Sequence, residues 1–319
     1  MTADRRGQLG FLGAFAPANF GRNDRLDRIA EVLKPYRFEK LLRKLEPEGA
    51  GRPPYDPAVM FKALLLAQLY DLSDAALEEA LNDRVSFRRF VGLPLEAPMP
   101  DHTTLCRFRN RLIEAGLLDR LFAEFGKQLE ANGMILKRGT MVDATLVEAA
   151  GARPRQNGQA ADPDAAFAKK QGKAGSVYGY KVHVGVDRGS ELIRKAVMTP
   201  ANVNETEVAE RLISFDEKAV YGDKGYAKAG RRQMLKAAGI ADGIMHKSWG
   251  GGPKLTERQR ARNRKIAKVR CRVETVFAIF KKHMGYRRVR YIGLLKNQAQ
   301  LLLLALAYNL RRACVLAQA

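Results

Sequence analysis

At 319 residues, with 46% hydrophobic and 28% charged side chains, the chain has the composition of a folded globular protein and the length of one large domain or two ordinary ones. Fifty-six Lys and Arg against thirty-four Asp and Glu leave a net charge of +22, which selects a polyanionic partner, either nucleic acid or an anionic membrane surface. Three widely spaced cysteines (Cys106, Cys271, Cys314) and four scattered histidines exclude a disulfide framework and a clustered zinc or histidine metal site, and they suit a reducing cytosol.

At the N-terminus, Arg5-Arg6 followed by Leu9–Ala16 imitates a signal peptide. The apolar run is short and broken by Gly10 and Gly13, so secretion is not expected. From Asp24 the pattern is helical: Leu26, Ile29, Ala30 and Leu33 share a face, stopped by Pro35. A second short helix covers about 38–45, then a Pro/Gly-rich connection runs to Pro57. Asp56-Pro57 is an N-cap followed by proline in the first turn, opening a helix over Ala58–Tyr70 that is apolar nearly all round.

Ser73 caps a helix to about Leu81, Val85–Val91 adds a further turn or two, and Asp101 caps Thr103–Ala115, which carries Arg107, Arg109 and Arg111. A last long helix spans about 117–132. The pair 73–91 and 101–115 reads either as a helix-turn-helix whose second helix enters a DNA groove or as an ordinary bundle with exposed arginines. Residues 1–120 hold nineteen basic and seventeen acidic groups, a near-neutral balance that favours the bundle.

After Gly133 the period changes from 3.6 to 2. Leu136–Ala149 reads as a strand with Asp143 inside it. Residues 150–176, rich in Gly, Ala, Lys and Gln, read as a mobile loop. Tyr178–Asp187 and Leu192–Thr199 continue an antiparallel meander across a turn at Gly189. Glu205–Ile213 is helical, and Lys218–Tyr226 is a fourth strand ending at Asp223. Lys228–Ala238 is a helix and Asp242–Lys247 a short fifth strand. Gly250–Pro253 breaks the chain. A helix from Arg264 to His283 follows, and Ala299–Leu316 closes the chain. The order is β-β-β-α-β-α-β-α-α, an α/β domain over 133–319 behind an all-helical domain over 1–132. The run Leu301–Tyr308 falls short of the roughly 20 residues that span a bilayer and reads as buried core, so no membrane partner is expected.

The charge is concentrated late. Between Gly251 and Arg290 lie fourteen Lys or Arg and only two acids, Glu257 and Glu274. On a helix, positions four and seven apart share a face, so Arg270, Glu274 and Lys281 project together. Ile266, Val269, Val273, Val276, Phe277 and Phe280 form a separate apolar stripe. A solvated basic face with one ordinary salt bridge is the plain reading of the helix alone.

Two further acids change that. Asp143 lies inside a strand, where aspartate is disfavoured, and Asp223 lies at the end of another. A mixed sheet can place its first and fourth strands side by side with a helix crossing nearby. Three carboxylates gathered that way repel one another and need a cation. Oxygen ligands suit Mg²⁺ or Mn²⁺, and two such ions about 3.5–4 Å apart clamp both oxygens of an in-line phosphoryl transfer. Taken singly, Asp143 is equally able to cap a turn and Asp223 to begin a tight Asp-Lys-Gly turn.

The segments Val142-Asp-Ala-Thr145, Gly222-Asp-Lys-Gly-Tyr226 and Arg270-Cys-Arg-Val-Glu274 resemble the three signature regions of bacterial insertion-sequence transposases of the DDE class. The nearest group is insertion sequence family five, within the family-four-like superfamily. The resemblance covers most of the chain, with residues from about 137 to 312 similar to the catalytic domain. It implies an RNase H-like fold and binding of double-stranded DNA at the element's terminal inverted repeats. It also implies divalent-metal cleavage there and joining of the freed 3′-hydroxyl to target DNA. It further implies a homodimer or higher assembly on DNA and a cytoplasmic, nucleoid-associated protein.

Carried over by position, Asp143, Asp223 and Glu274 match the catalytic, metal-binding triad. The superfamily's Tyr-Arg-Glu-Lys signature has two, three and six residues between its members. Arg270, Glu274 and Lys281 fit it, and Ala267 stands where it has tyrosine, which removes that residue from any hairpin-holding step. Lys181, Lys224 and Lys247 flank the expected site as phosphate contacts. Trp249, the only tryptophan, either stacks on a displaced base or packs. A metal-dependent nuclease without strand transfer and an inert transposase-derived DNA-binding protein are the alternative readings.

Overall fold

The computed structural model describes residues 17, 19–33, 36–45, 55–154, 159–169, 175–248 and 254–318. The signal-like segment Arg5–Ala16, Trp249 and the glycines after it lie outside these residues.

By contacts the chain divides into two compact units, residues 1–127 with 306–319 and residues 128–305. The first is helical: α1 (Asp24–Leu33), α2 (Tyr36–Leu42) with a 3-10 turn at Arg43–Leu45, α3 (Pro57–Leu69), α4 (Asp74–Asp83), α5 (Val85–Val91), α6 (His102–Glu114) and most of α7 (Leu117–Ala131). The expected caps are made. Asp56 accepts from the Ala58 amide at 2.7 Å with Pro57 in the first turn, Ser73 from Ala76 at 3.1 Å, and Asp101 from Thr104 at 2.6 Å. Each satisfies an amide that the first turn leaves without a partner. α5 ends on Gly92 at φ 89°, a left-handed cap that glycine adopts without penalty. Eleven of the thirteen residues of α3 are buried, as its all-round apolarity requires.

The second unit holds a six-stranded mixed sheet: β1 (Thr140–Glu148), β2 (Ala166–Lys169), β3 (Ser176–Asp187), β4 (Ile193–Pro200), β5 (Ala219–Gly222) and β6 (Ala241–Ile244). β1 pairs antiparallel with β3 along its whole length, Thr140 opposite Asp187 and Glu148 opposite Gly179. On its other edge β1 pairs parallel with β5, which pairs parallel with β6. β2 and β4 share the far edge of β3 end to end. This is the expected α/β architecture of an RNase H-like mixed sheet, with helical residues ahead of it.

Three differences from the sequence reading have local causes. β1 begins at Thr140 rather than Leu136, because the Asp187 carboxylate takes the Leu136 and Lys137 amides at 3.1 and 2.9 Å and Lys137 turns to φ 53°. β2 lies inside the stretch expected to be a loop. Its Phe167 stacks on Tyr178 at 5.0 Å under the Arg153 guanidinium, so a four-residue alternation is held by one aromatic pair. The contact units also end within α7 and return the last residues of the closing helix to the helical unit, away from the 132/133 boundary. The middle of that helix, Leu301–Tyr308, is apolar all round, so no face of that stretch announces a partner.

The connections β4–β5 and β5–β6 are α8 (Glu205–Leu212), then a 3-10 turn (Lys224–Tyr226) with α9 (Ala229–Ala237). On one face of the sheet Val142, Val220 and Ile244 pack with Val208 and Leu212 of α8, Leu235 of α9 and Tyr226. On the other face lies α10 (Glu257–His283), against β1 and β5. It starts seven residues earlier than expected, on a Thr256–Gln259 capping box. α11 (Leu294–Leu316) is 23 residues, long and apolar enough to cross a membrane by composition, yet 72% of its apolar window is buried within the protein. Every residue from Leu301 to Tyr308 is buried, as a core helix requires.

The end of β5 is tied to α8 and α9 by Arg231, which is 1% exposed. Its Nε and Nη2 donate to Glu210 Oε1 at 3.1 and 2.9 Å, Nη2 also donates to the Thr206 carbonyl, and Nη1 donates to the Tyr226 carbonyl. Removing a buried guanidinium strips donors from groups that water does not reach. Arg231→Met is therefore expected to lower unfolding free energy by on the order of 3 kcal/mol, read as a shift of the urea midpoint at constant slope.

Candidate active site

Asp143 stands in the interior of β1, opposite Val184 of β3. Side chains alternate along a strand, so Val142 faces the α8–α9 core while Asp143 and Thr145 face α10. On the other edge of β1, Met141 pairs with Tyr221 and β5 ends one residue later at Gly222. Asp143 follows Met141 by two positions and Asp223 follows Tyr221 by two. Neighbouring parallel strands thus bring the two acids to one level, where β5 has stopped and the edge of β1 is open. The carboxyl ends of parallel strands are where open α/β sheets bind their ligands.

Asp223 caps the turn that follows, its Oδ1 accepting from the Gly225 amide at 2.8 Å. The turn role leaves Asp223 at the level of Asp143, so it does not exclude a place in the site. Asp143 Oδ1 accepts from the Ala144 amide at 2.9 Å.

Glu274 reaches the pair through Arg270. Arg270 Nη1 donates to Asp143 Oδ2 at 2.6 Å, and its Nη2 lies 3.8 Å from Glu274 Oε1, one helical turn on. The Asp143 side chain is 15% exposed and that of Arg270 19%, whereas Glu274 is 65% exposed. Burial pushes the Asp143 carboxyl up to about 6, against the pull of the Arg270 guanidinium and the Ala144 amide, and the charges of Asp223 and Glu274 add to the rise. A carboxylate crowded this way gains most from an added cation.

Among the described residues, no three His, Cys, Asp or Glu side chains form a ready-made metal cage. The donor set nevertheless fits a hard divalent ion: oxygen ligands from one strand interior and the end of its parallel neighbour, the first of them desolvated, with a third acid beyond the guanidinium. Arg270 engages Oδ2 of Asp143, so a cation held by Asp143 would share that carboxylate with the guanidinium.

The other expected contacts divide. Lys224 and Lys247 are exposed beside the strand ends. Lys281 turns onto the sheet, its Nζ donating to Thr145 Oγ1 at 2.6 Å and to the Leu146 carbonyl at 3.0 Å. Lys181 donates to the Val203 carbonyl at 2.7 Å and pairs with Glu205 at 2.9 Å. In the helical unit, Arg109 is buried with both Nη atoms on the Asp74 carboxylate at 2.7 Å, and Arg111 donates to the Leu45 carbonyl. These two arginines staple α6 to its neighbours, which corrects their reading as surface contacts. Arg107 is exposed. Trp249 lies outside the described residues. Ala267 is exposed on α10, one turn before Arg270.

Sequence reasoning missed the polar groups on the α8 face. Glu205 had been read only as a helix start. Tyr226 is fully buried, and its hydroxyl has no hydrogen-bond partner. His183 is fully buried on β3, its Nε2 2.9 Å from Thr199 Oγ1 and its Nδ1 without a partner. The single available signal was an acid at the first position of a helix, which capping alone explains.

Residues 135–310 match the family described as Transposase DDE domain, and residues 17–111 match one described as Transposase domain. Among solved structures, the chain is similar to the piggyBac transposase in a synaptic complex with hairpin DNA. The likeness is at 12% identity and TM-score 0.45, covering 94% of this chain and 74% of that one.

Burial holds His183 neutral and lowers it to about 4, with Lys181 and Arg211 acting the same way and Glu205 opposing them. A base depressed on folding contributes stability that is complete above its unfolded pKa near 6.5 and is lost as pH falls toward the folded value. Between pH 7 and 4.5 the protein should lose on the order of 3 kcal/mol through this group. His183→Gln, followed by urea unfolding at both pH values, should remove that part of the loss; an unchanged loss would show that another group causes it.

Proposed function

As a member of the transposase DDE-domain family the chain is a DNA transposase, and we propose that it binds the terminal inverted repeats of its own element, cleaves there and joins the freed 3′-hydroxyl to target DNA. The family works on DNA with divalent metal ions. Here we assign them to Asp143, Asp223 and Glu274 as Mg²⁺ or Mn²⁺, two ions in all. Bound there, such ions activate the attacking oxygen and relieve charge at the phosphoryl transition state. Assignment to insertion sequence family five rests on the three signature segments. Action as a homodimer or larger assembly on DNA, within the cytoplasm and apart from membranes, belongs to the same reading.

The observation that carries it is the matched level of Asp143 and Asp223 on neighbouring parallel strands, with Glu274 beyond Arg270. The cations nearby have divided tasks. Arg270 and Lys281 orient α10 against β1. The exposed Arg258, Arg264, Lys265, Lys268 and Lys282 of that helix, with Lys224 and Lys247, offer phosphate contacts outside. Arg107 is the remaining candidate on α6.

Asp143→Asn keeps the size of the side chain and removes its charge. It should abolish cleavage of an end-containing DNA while end binding in a gel-shift assay stays within about threefold, since phosphate contacts carry the affinity. Retained cleavage by this variant would overturn the triad. With donor ends and a target plasmid, the unaltered chain should give joined product; cleavage without joining would mark a nuclease, and neither would mark an inert DNA-binding protein.

A further inference from the structure

Glu205, the first residue of α8, is held in a particular way. Its Oε1 lies 2.9 Å from Lys181 Nζ, which also donates to the Val203 carbonyl just before the helix. One carboxylate oxygen is therefore fixed by a lysine that is 13% exposed. The other oxygen turns toward Asp223. A Cβ built on Gly225 would stand 2.9 Å from Asp223 Oδ1 and 3.5 Å from Glu205 Oε2, so both oxygens border the gap that glycine leaves open. Among the described residues no ion pair bridges the two sides of it: Lys181 takes Glu205 Oε1, and Arg270 binds Asp143.

A second, independent feature points at the same place. The Tyr226 ring is fully buried and its hydroxyl has no partner, although such a donor is costly to leave unmade. The charges of Asp143, Glu205 and Asp223 all act on that hydroxyl, and together with burial they raise it well above the ordinary tyrosine range. The hydroxyl is thus an unpartnered buried donor within electrostatic reach of those carboxylates, a group that water held by a bound cation would satisfy.

We propose that Glu205 is a fourth carboxylate of the metal centre, presenting Oε2 beside Asp223 across Gly225 to a divalent cation while its Oε1 stays paired with Lys181. This rests on the assignment of metal to Asp143 and Asp223. The second ion then draws on the α8 side of the strand ends and the first on the α10 side. Glu205 lies within the matched DDE domain but outside the three signature segments. Its contribution comes from the β4–α8 connection.

Mn²⁺ alone serves as the probe, with free ion measured by electron paramagnetic resonance on the full-length protein and fold checked by circular dichroism and melting temperature. Glu205→Gln should weaken Mn²⁺ binding at least tenfold or remove one of two sites, while Glu207→Gln, an exposed acid two residues on, should not change it. Lys181→Met keeps the acid and should bind Mn²⁺ within threefold of the unaltered chain. A Lys181→Met/Glu205→Gln double variant, which leaves no lone buried charge, should bind as poorly as Glu205→Gln and replaces it where the single variant misfolds. If Glu205→Gln or the folded double variant binds Mn²⁺ like the unaltered chain while Asp143→Asn and Asp223→Asn do not, the inference fails and the two-aspartate assignment stands. If Lys181→Met alone is as damaging as Glu205→Gln, the acid acts only through its ion pair and the inference also fails. If the unaltered chain binds no Mn²⁺ up to millimolar concentration, both fail together.

Discussion

The catalytic unit depends on one ion pair, Arg270 with Asp143, which joins residues 127 positions apart at 2.6 Å. A strand interior is a poor place for a carboxylate and a half-buried helix face a poor place for a guanidinium. Each makes the other tolerable, and the pair fixes α10 over the one strand that carries the first acid. Eleven residues on, three helical turns later, Lys281 repeats the device by donating to Thr145 and Leu146 of the same strand. Two cations on one stripe of α10 thus grip β1 at two points. Glu274, between them on that stripe, is held over the strand ends as a consequence.

The same pair sets the electrostatic state of the site. Asp143, Asp223 and Glu274 repel, and Arg270 offsets part of that repulsion while standing between the first and the last. Were a divalent ion bound by these acids, it would supply the same offset, and the Arg270 guanidinium would then be placed to meet a phosphate. Glu205 adds a further negative charge from the opposite helix layer, with Lys181 as its own counter-ion. The chain's large positive excess therefore lies outside a small acidic focus. Under the proposed reading, a polyanion held by the outer charges meets carboxylates whose charge a bound divalent cation would offset.

Much of this was legible in residues alone because periodicity and capping are local. Asp56-Pro57, Ser73 and Asp101 marked helix starts that the caps bear out, and the change of period after Gly133 marked the sheet. Arg270, Glu274 and Lys281 shared a face by arithmetic. What failed depended on contacts between distant segments. β2 is a strand because Phe167 meets Tyr178, and Leu136 is not strand because Asp187 takes its amide. Arg109 looks like a surface arginine until Asp74, from another helix, closes on it.

The sequence by itself determined which helix and strands hold Asp143, Asp223 and Glu274, since hydrophobic period, turn residues and the three signature segments are written within short stretches. It also determined the polyanionic partner, since charge needs no fold to be counted. Only the tertiary structure decided which cations face outward and which are consumed in holding the core, and that Glu205 turns an oxygen toward Asp223. Those outcomes follow from strand register and from packing across the sheet. Register places residues far apart in the chain at one level, and no local pattern encodes which pairs then meet.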